Sequence, residues 1–204
     1  MSVRIVCIVE GQGDVASVPI LVRRLAQREG VPFIEVRRPF RIPRNKVVRP
    51  GELERAVELS ARADEKPAGV LVLLDADDDP PCTLGPELYR RAQGRHPDLP
   101  CAVVFAMKEK EAWFIAAIES LRGQRGIPAS ATPPADPERI RGAKQWLAGL
   151  MGRPYSEVSD QPALAALFDL DLARQRSRSF DKFWRDMRRL LGNIPVDPAG
   201  LTNG

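Results

Sequence analysis

The chain has 204 residues and a formal net charge of +4, enough length for one domain, or one domain with a helical extension, around a substantial core. Hydrophobic residues make up 44% and charged residues 28%, and no apolar run approaches the roughly 18 residues that a membrane-spanning helix needs. The single histidine, His96, lies in the turn-like stretch Gly94-Arg95-His96-Pro97, which argues against a histidine-rich zinc site or a Ser-His-Asp triad.

Residues 3–9 (VRIVCIV) form a β-branched run that predicts a strand buried on both faces. The acidic turn behind it, and the lack of a small-residue cleavage site, argue against a signal peptide. Cys7, Cys82 and Cys101 make no CxxC pair, which suits reduced thiols and a cytoplasmic location. Asp14 follows the turn Gly11-Gln12-Gly13 and is placed to N-cap a helix running to about Glu29. A second strand is expected over 32–37, a proline-punctuated loop over 39–50, and a helix from Leu53 to about Asp64. Residues 69–74 (GVLVLL) predict a third strand, ended abruptly by DADDDPP. A helix over 85–93 and a fourth strand over 101–107 (CAVVFAM) follow. Strands alternating with helices predict an α/β fold: a mainly parallel, four-stranded, Rossmann-like sheet flanked by helices.

Beyond the fourth strand the pattern is helical, over 109–121, 136–150, 162–174 and 180–191. The last segment carries Phe180, Phe183, Trp184, Met187, Leu190 and Leu191 on one stripe. Trp113 and Phe114, spaced with Ile118 and Leu121, read as core rather than as base-stacking residues. The stretch 123–137 is rich in proline, alanine and serine. An α/β core over 1–122, a linker over 123–137 and a helical extension over 138–204 are therefore expected, with a loosely ordered tail from Gly192.

In open parallel sheets, functional groups gather beyond the carboxyl ends of the strands. The first strand ends in Glu10, the third in Asp75 and Asp77, and the fourth runs into Lys108-Glu109-Lys110-Glu111. In extended backbone Asp75 and Asp77 point the same way. Two carboxylates held that close need a cation or proton between them, and hard oxygen ligands suit Mg²⁺ or Mn²⁺. Six basic residues and no acid occupy 37–49, among them Arg37, Arg38, Arg41, Arg44 and Lys46. A second basic stretch includes Arg178, Lys182 and Arg185. Basic surfaces flanking an acidic knot fit a polyanionic partner bridged by divalent metal.

Glu10-Gly11 after an apolar strand, with Asp75-Ala76-Asp77 after a later one, resembles the Toprim signature of topoisomerases, bacterial primases, small recombination nucleases and OLD-type nucleases. The wording VEGQGD, with SRSFDKFW near the other end, looks closest to a bacterial family of small Toprim-like proteins of unassigned function. The core resemblance covers about residues 3–111. It implies that Glu10 is a metal ligand or general base, and that Asp75 and Asp77 are metal ligands. By the same resemblance Asp14 and Glu111 are further acids of the site, and Lys144 is the lysine near the scissile phosphate. The implied activity is Mg²⁺- or Mn²⁺-dependent hydrolysis of nucleic acid, with DNA favoured. A role in defence against phage or mobile elements, and a separate ATPase partner, follow only by analogy, since no GxxxxGK[ST] motif is present.

Two other readings compete. A non-catalytic subunit that binds nucleic acid would use the same fold with a vestigial site. Alternatively, Gly11-Gln12-Gly13-Asp14-Val15-Ala16 matches a GxGxxA dinucleotide fingerprint, with Glu35 as the ribose-binding acid. Glu10 and Asp14 would put negative charge where the pyrophosphate must sit. Of the tyrosines, neither Tyr89 nor Tyr155 lies where a covalent nucleophile is demanded.

Overall fold

The computed structural model describes residues 3–63 and 67–192; the tail beyond Gly192 and the expected helix end at Asp64 lie outside them. The fold is α/β with a parallel sheet and C-terminal helices, as the alternating pattern predicts. The elements are β1 (Val3–Val9), α1 (Asp14–Arg28), β2 (Ile34–Val36), β3 (Phe40–Arg41), α2 (Arg44–Val47), α3 (Glu52–Ala63), β4 (Gly69–Asp75), α4 (Pro81–Arg95) and β5 (Cys101–Ala106). They continue with α5 (Glu111–Ala116), α6 (Ala143–Met151), α7 (Asp160–Leu167), α8 (Leu170–Arg176) and α9 (Arg178–Gly192), with short 3₁₀ turns at Ile118–Leu121 and Pro137–Arg139.

Among the described residues the sheet has five strands rather than four, in the order β2-β1-β4-β5, with β3 also paired to β1. The fifth strand comes from the expected loop over 39–50: Phe40 and Arg41 pair with Ile8 and Val9, continuing the sheet edge that β2 begins. Every pairing is parallel. Helix α1 and the whole of α5–α9 pack on one face of the sheet, around Ile5, Cys7, Val9, Leu71 and Leu73. Helices α3 and α4 cover the other, around Val6, Ile8, Val70, Val72 and Leu74. Adjacent β1 and β4 are therefore the place where the chain order reverses. In sheets of this kind the crevice between two such strands, at their carboxyl ends, is where ligands bind.

The C-terminal helices are not a separate body. Trp113 of α5 meets Phe180 edge-to-face and Phe183 at a tilt, both of α9, with ring centres 5.1 and 5.4 Å apart, and Phe168 packs on Phe114 and Phe180. The stretch 122–136 carries no helix or strand, yet Ile127 and Ala131 are buried in the same core. Three expected helices are broken. The one over 109–121 tightens to a 3₁₀ turn after Ala116. The one over 136–150 is interrupted at Gly142, whose φ of 70° lies in the left-handed region where a β-carbon is strained. The one over 162–174 divides at Phe168, after which Asp169 caps α8 by accepting from the Leu172 amide.

Candidate functional site

The carboxyl ends of β1 and β4 bring Glu10 and Asp75 together, and four later segments close over them. Asp75 is the last residue of β4 and is buried. Its Oδ1 accepts from both the backbone amide of Lys110 (2.9 Å) and the Lys110 ammonium (2.6 Å). The same ammonium lies 3.3 Å from Asp14 Oδ2, with the side chains of Lys110 and Asp14 only 6% and 2% accessible. Asp14 is not the expected N-cap. Gly13 holds that position, and Asp14 is the first helical residue, bent back to accept from the Gly11 amide (2.8 Å) and from Gln161 Nε2 (2.7 Å).

Glu111 opens α5 and is 1% accessible, and neither carboxylate oxygen has a hydrogen-bond partner among the described residues. Glu10 Oε2 is buried and unpartnered in the same way. Burial, reinforced by Asp75, pushes the Glu111 carboxyl up to about 7. Burial also raises Glu10, with Asp75 adding to it, and raises Asp75, where Lys110 opposes and Asp14 assists. For Lys110 burial works against the charge, but Asp14 and Asp75 outweigh it and hold the ammonium above its ordinary value. The cluster as a whole therefore favours additional positive charge.

Lys144 of α6 reaches this cluster. Its ammonium donates to Glu157 at 2.6 Å, and its backbone amide donates to Glu109. Burial opposes its charge, while Glu111 first, then Glu157 and Asp75, hold it protonated. Tyr155 also stands beside Glu111, its buried hydroxyl raised by desolvation and then by that carboxylate, without a hydrogen bond of good geometry between them.

The DxD reading needs correction at Asp77. Asp75 ends an extended strand, but Asp77 has a φ of 49° and is exposed, so the two side chains do not share a face. The amides of Ala76 and Asp77 continue the pairing by donating to the carbonyls of Ala106 and Lys108. Asp78 and Asp79 are occupied by other partners, Asp78 by Lys108 and Arg141 and Asp79 by Arg44. Among the described residues no three acidic, histidine or cysteine side chains are arranged to hold a metal ion.

The expected basic residues do not form one surface. Arg44 lies near the acids: it pairs with Asp79, stacks over Phe105 at 5.0 Å and influences Glu10, while its Nη1 is buried without a partner. Arg41 donates to Gln12 in the turn after β1, and Arg37 pairs with Glu35. Arg38 and Lys46 are exposed. Lys182 and Arg185 instead line a groove of about 950 Å³ between α4 and α9, beside edge strand β5. There Lys182 pairs with Asp186, and Arg185 with Asp181. Arg178 is exposed at the start of α9.

The dinucleotide reading finds the strand, turn and helix it requires but no room for a pyrophosphate. The Gly11 amide is taken by Asp14, and a β-carbon on Gly13 would lie 2.1 Å from Gln161 Oε1 and 2.5 Å from the Glu157 carbonyl oxygen. Glu35 is paired with Arg4 and Arg37. The same crowding gives a stability test: Gly13→Ala is expected to cost about 1–3 kcal/mol in a urea titration, because the obstacle includes backbone. An unchanged midpoint would show that α7 and the loop before it yield freely.

A family model described as "Domain of unknown function (DUF4276)" matches residues 9–188. The chain belongs to the DUF4276 family. The comparisons with curated proteins and with solved structures gave no match. The span shared with the DUF4276 model takes in the acid cluster and the helices that close over it, from Glu10 to Gln161. The sequence reading does not place Lys110, Tyr155 or Gln161 among the site residues. Only Lys110 left a signal, as part of the charged run after the fourth strand.

Proposed function

We propose that this chain is a divalent-metal-dependent phosphodiesterase acting on nucleic acid, with Mg²⁺ or Mn²⁺ held at the carboxyl ends of β1 and β4. The observation that carries this reading is the set of buried carboxylate oxygens without partners, Glu10 Oε2 and both oxygens of Glu111, next to Asp75. A buried carboxylate without a hydrogen bond is costly, and a bound cation removes that cost. All the donors are hard oxygens, which suits Mg²⁺ or Mn²⁺.

Glu10, Asp75 and Glu111 would hold the ion. Asp77, exposed above them, would approach it only from the solvent side. Such an ion supplies Lewis acidity and a bound water of lowered pKa. Glu10, the least enclosed of the three, would orient the attacking water and accept its proton. The Lys144 ammonium would offset charge developing on the phosphate oxygens. Asp14 would act as a positioning residue, since its two oxygens already hold the Gly11 amide and Gln161. Arg38, Arg41 and Lys46 would hold the sugar-phosphate backbone without reading bases.

A second reading has its own observation. Lys110 already neutralises Asp75 and Asp14 from within, as a vestigial site in a binding subunit would require. Supercoiled plasmid and single-stranded DNA incubated with Mn²⁺, Mg²⁺ or a chelator separate the two. Nicking with metal and none with the chelator is expected. DNA binding without cleavage in any metal would favour the binding subunit.

A further inference from the structure

We infer that Lys110 is a tethered cation that fills part of the acid cluster and competes with divalent metal for it, so that removing its charge creates a tighter metal site. The inference rests on the metal-centre reading and adds its regulation by a residue of the chain itself. Lys110 makes two contacts to one oxygen of Asp75, at 2.9 and 2.6 Å, and a third at 3.3 Å to Asp14. All three groups are nearly sealed from water, so solvent does not screen their attraction.

One ammonium does not balance this cluster. Glu111 is buried with both oxygens unpartnered, and Glu10 carries a third such oxygen. Glu10, Asp14, Asp75 and Glu111 thus face Lys110, Lys144 and the Arg44 guanidinium, of which Lys144 is shared with Glu157 and Arg44 with Asp79. A divalent ion brings twice the charge and gathers several oxygens at once, whereas an ammonium gathers acceptors only along its N–H bonds. The two cations repel each other strongly at this range in a poorly hydrated interior, so ion binding requires the ammonium to give up Asp75. Lys110 bridges Asp75 and Asp14 in this structure.

Titration calorimetry with Mn²⁺ tests this on the full chain, comparing wild type with Lys110→Met and Lys110→Arg. Lys110→Met keeps the length of the side chain and removes its charge. It is expected to bind Mn²⁺ about tenfold or more tightly than wild type, while Lys110→Arg stays near wild type. Thermal melts give an independent readout: Mn²⁺ is expected to raise the midpoint of Lys110→Met well beyond its effect on wild type. If Lys110→Met folds only with Mn²⁺ present, that also supports the inference. The double variant Lys110→Met/Asp14→Asn, with one buried charge fewer, allows the titration in metal-free buffer. Equal or weaker Mn²⁺ binding by Lys110→Met than by a wild type that does bind would overturn the inference and leave the metal-centre reading in place. Absence of Mn²⁺ binding in every variant would overturn both.

Discussion

Glu10→Gln is expected to lower metal-dependent nicking of supercoiled DNA by about a thousandfold or more, while the melting midpoint stays level or rises. The two halves have one cause. Burial and the neighbouring Asp75 raise the Glu10 carboxyl in the folded state, so the fold binds this proton more readily than the unfolded chain does. For an acid raised in this way, stability falls as pH climbs through the ordinary carboxylate range towards the folded value. At neutral pH the ionised Glu10 therefore works against folding, and an uncharged side chain of the same shape relieves it. Under the metal-centre reading the charge is retained at a cost to stability, as expected of a residue kept for chemistry. Nicking assays and thermal melts on the same preparation check both halves. Full activity in Glu10→Gln would remove Glu10 from the mechanism; lost activity with a collapsed midpoint would assign it a structural role.

Asp160→Ala is expected to destabilise the fold by about 3 kcal/mol, the low end for removing one partner of a buried ion pair. The low end applies because Arg125 and Arg153 are each 39% accessible and regain water when released, although Asp160 itself is fully enclosed. The Asp160 carboxylate accepts from Arg125 at 2.6 and 2.9 Å, from Arg153 at 2.7 and 2.8 Å, and from the Ser156 amide at 2.8 Å. It thereby ties two irregular stretches, one holding Arg125 and the other Arg153 and Ser156, to the start of α7. The next residue, Gln161, holds Asp14, so the clamp also supports the acid cluster. Hydrogen bonds from Arg153, only partly offset by burial, hold the Asp160 carboxyl well below the usual carboxylate range. Here the folded state binds fewer protons than the unfolded chain, so stability rises with pH across the acid range. The contribution is complete above the ordinary carboxylate value and is lost as pH falls through and below it. Urea titrations at neutral and acidic pH should show Asp160→Asn flattening the acid limb of the profile. A wild-type midpoint for Asp160→Ala at neutral pH would mean that the arginines find equal partners elsewhere.

If the metal-centre reading holds, activity and stability depend on opposite treatments of buried charge in neighbouring places. Asp160 is saturated with donors and steadies the scaffold. Glu111 and Glu10 are under-provided and hold open a demand for positive charge. Lys110 lies between these extremes, meeting part of the demand from inside the fold. No helix among the described residues is long and apolar enough to cross a membrane.

The sequence by itself determined four of the five strands of the sheet, their acidic ends and the apolar stripe of α9, because these depend on short-range periodicity. A β-branched run ending in an acid places that acid at a strand terminus wherever the strand is packed. Phe180, Phe183, Trp184 and Met187 face one way whatever they meet. Membership of the acid cluster is different, because it depends on desolvation and desolvation depends on segments far along the chain. Glu111, Lys144 and Tyr155 converge only because the segment from α6 to α7 folds over α5. Within its own stretch Lys110 reads as one more solvated charge, and only enclosure with Asp14 and Asp75 makes it the counter-ion of the site. Asp77 left the site through a single left-handed backbone angle, which no spacing rule encodes. Lys182 and Arg185 of α9 line the groove beside β5, because their helix follows its apolar stripe onto the sheet. Pattern placed the acids at the strand ends; the long-range packing of helices decided which charges are buried together.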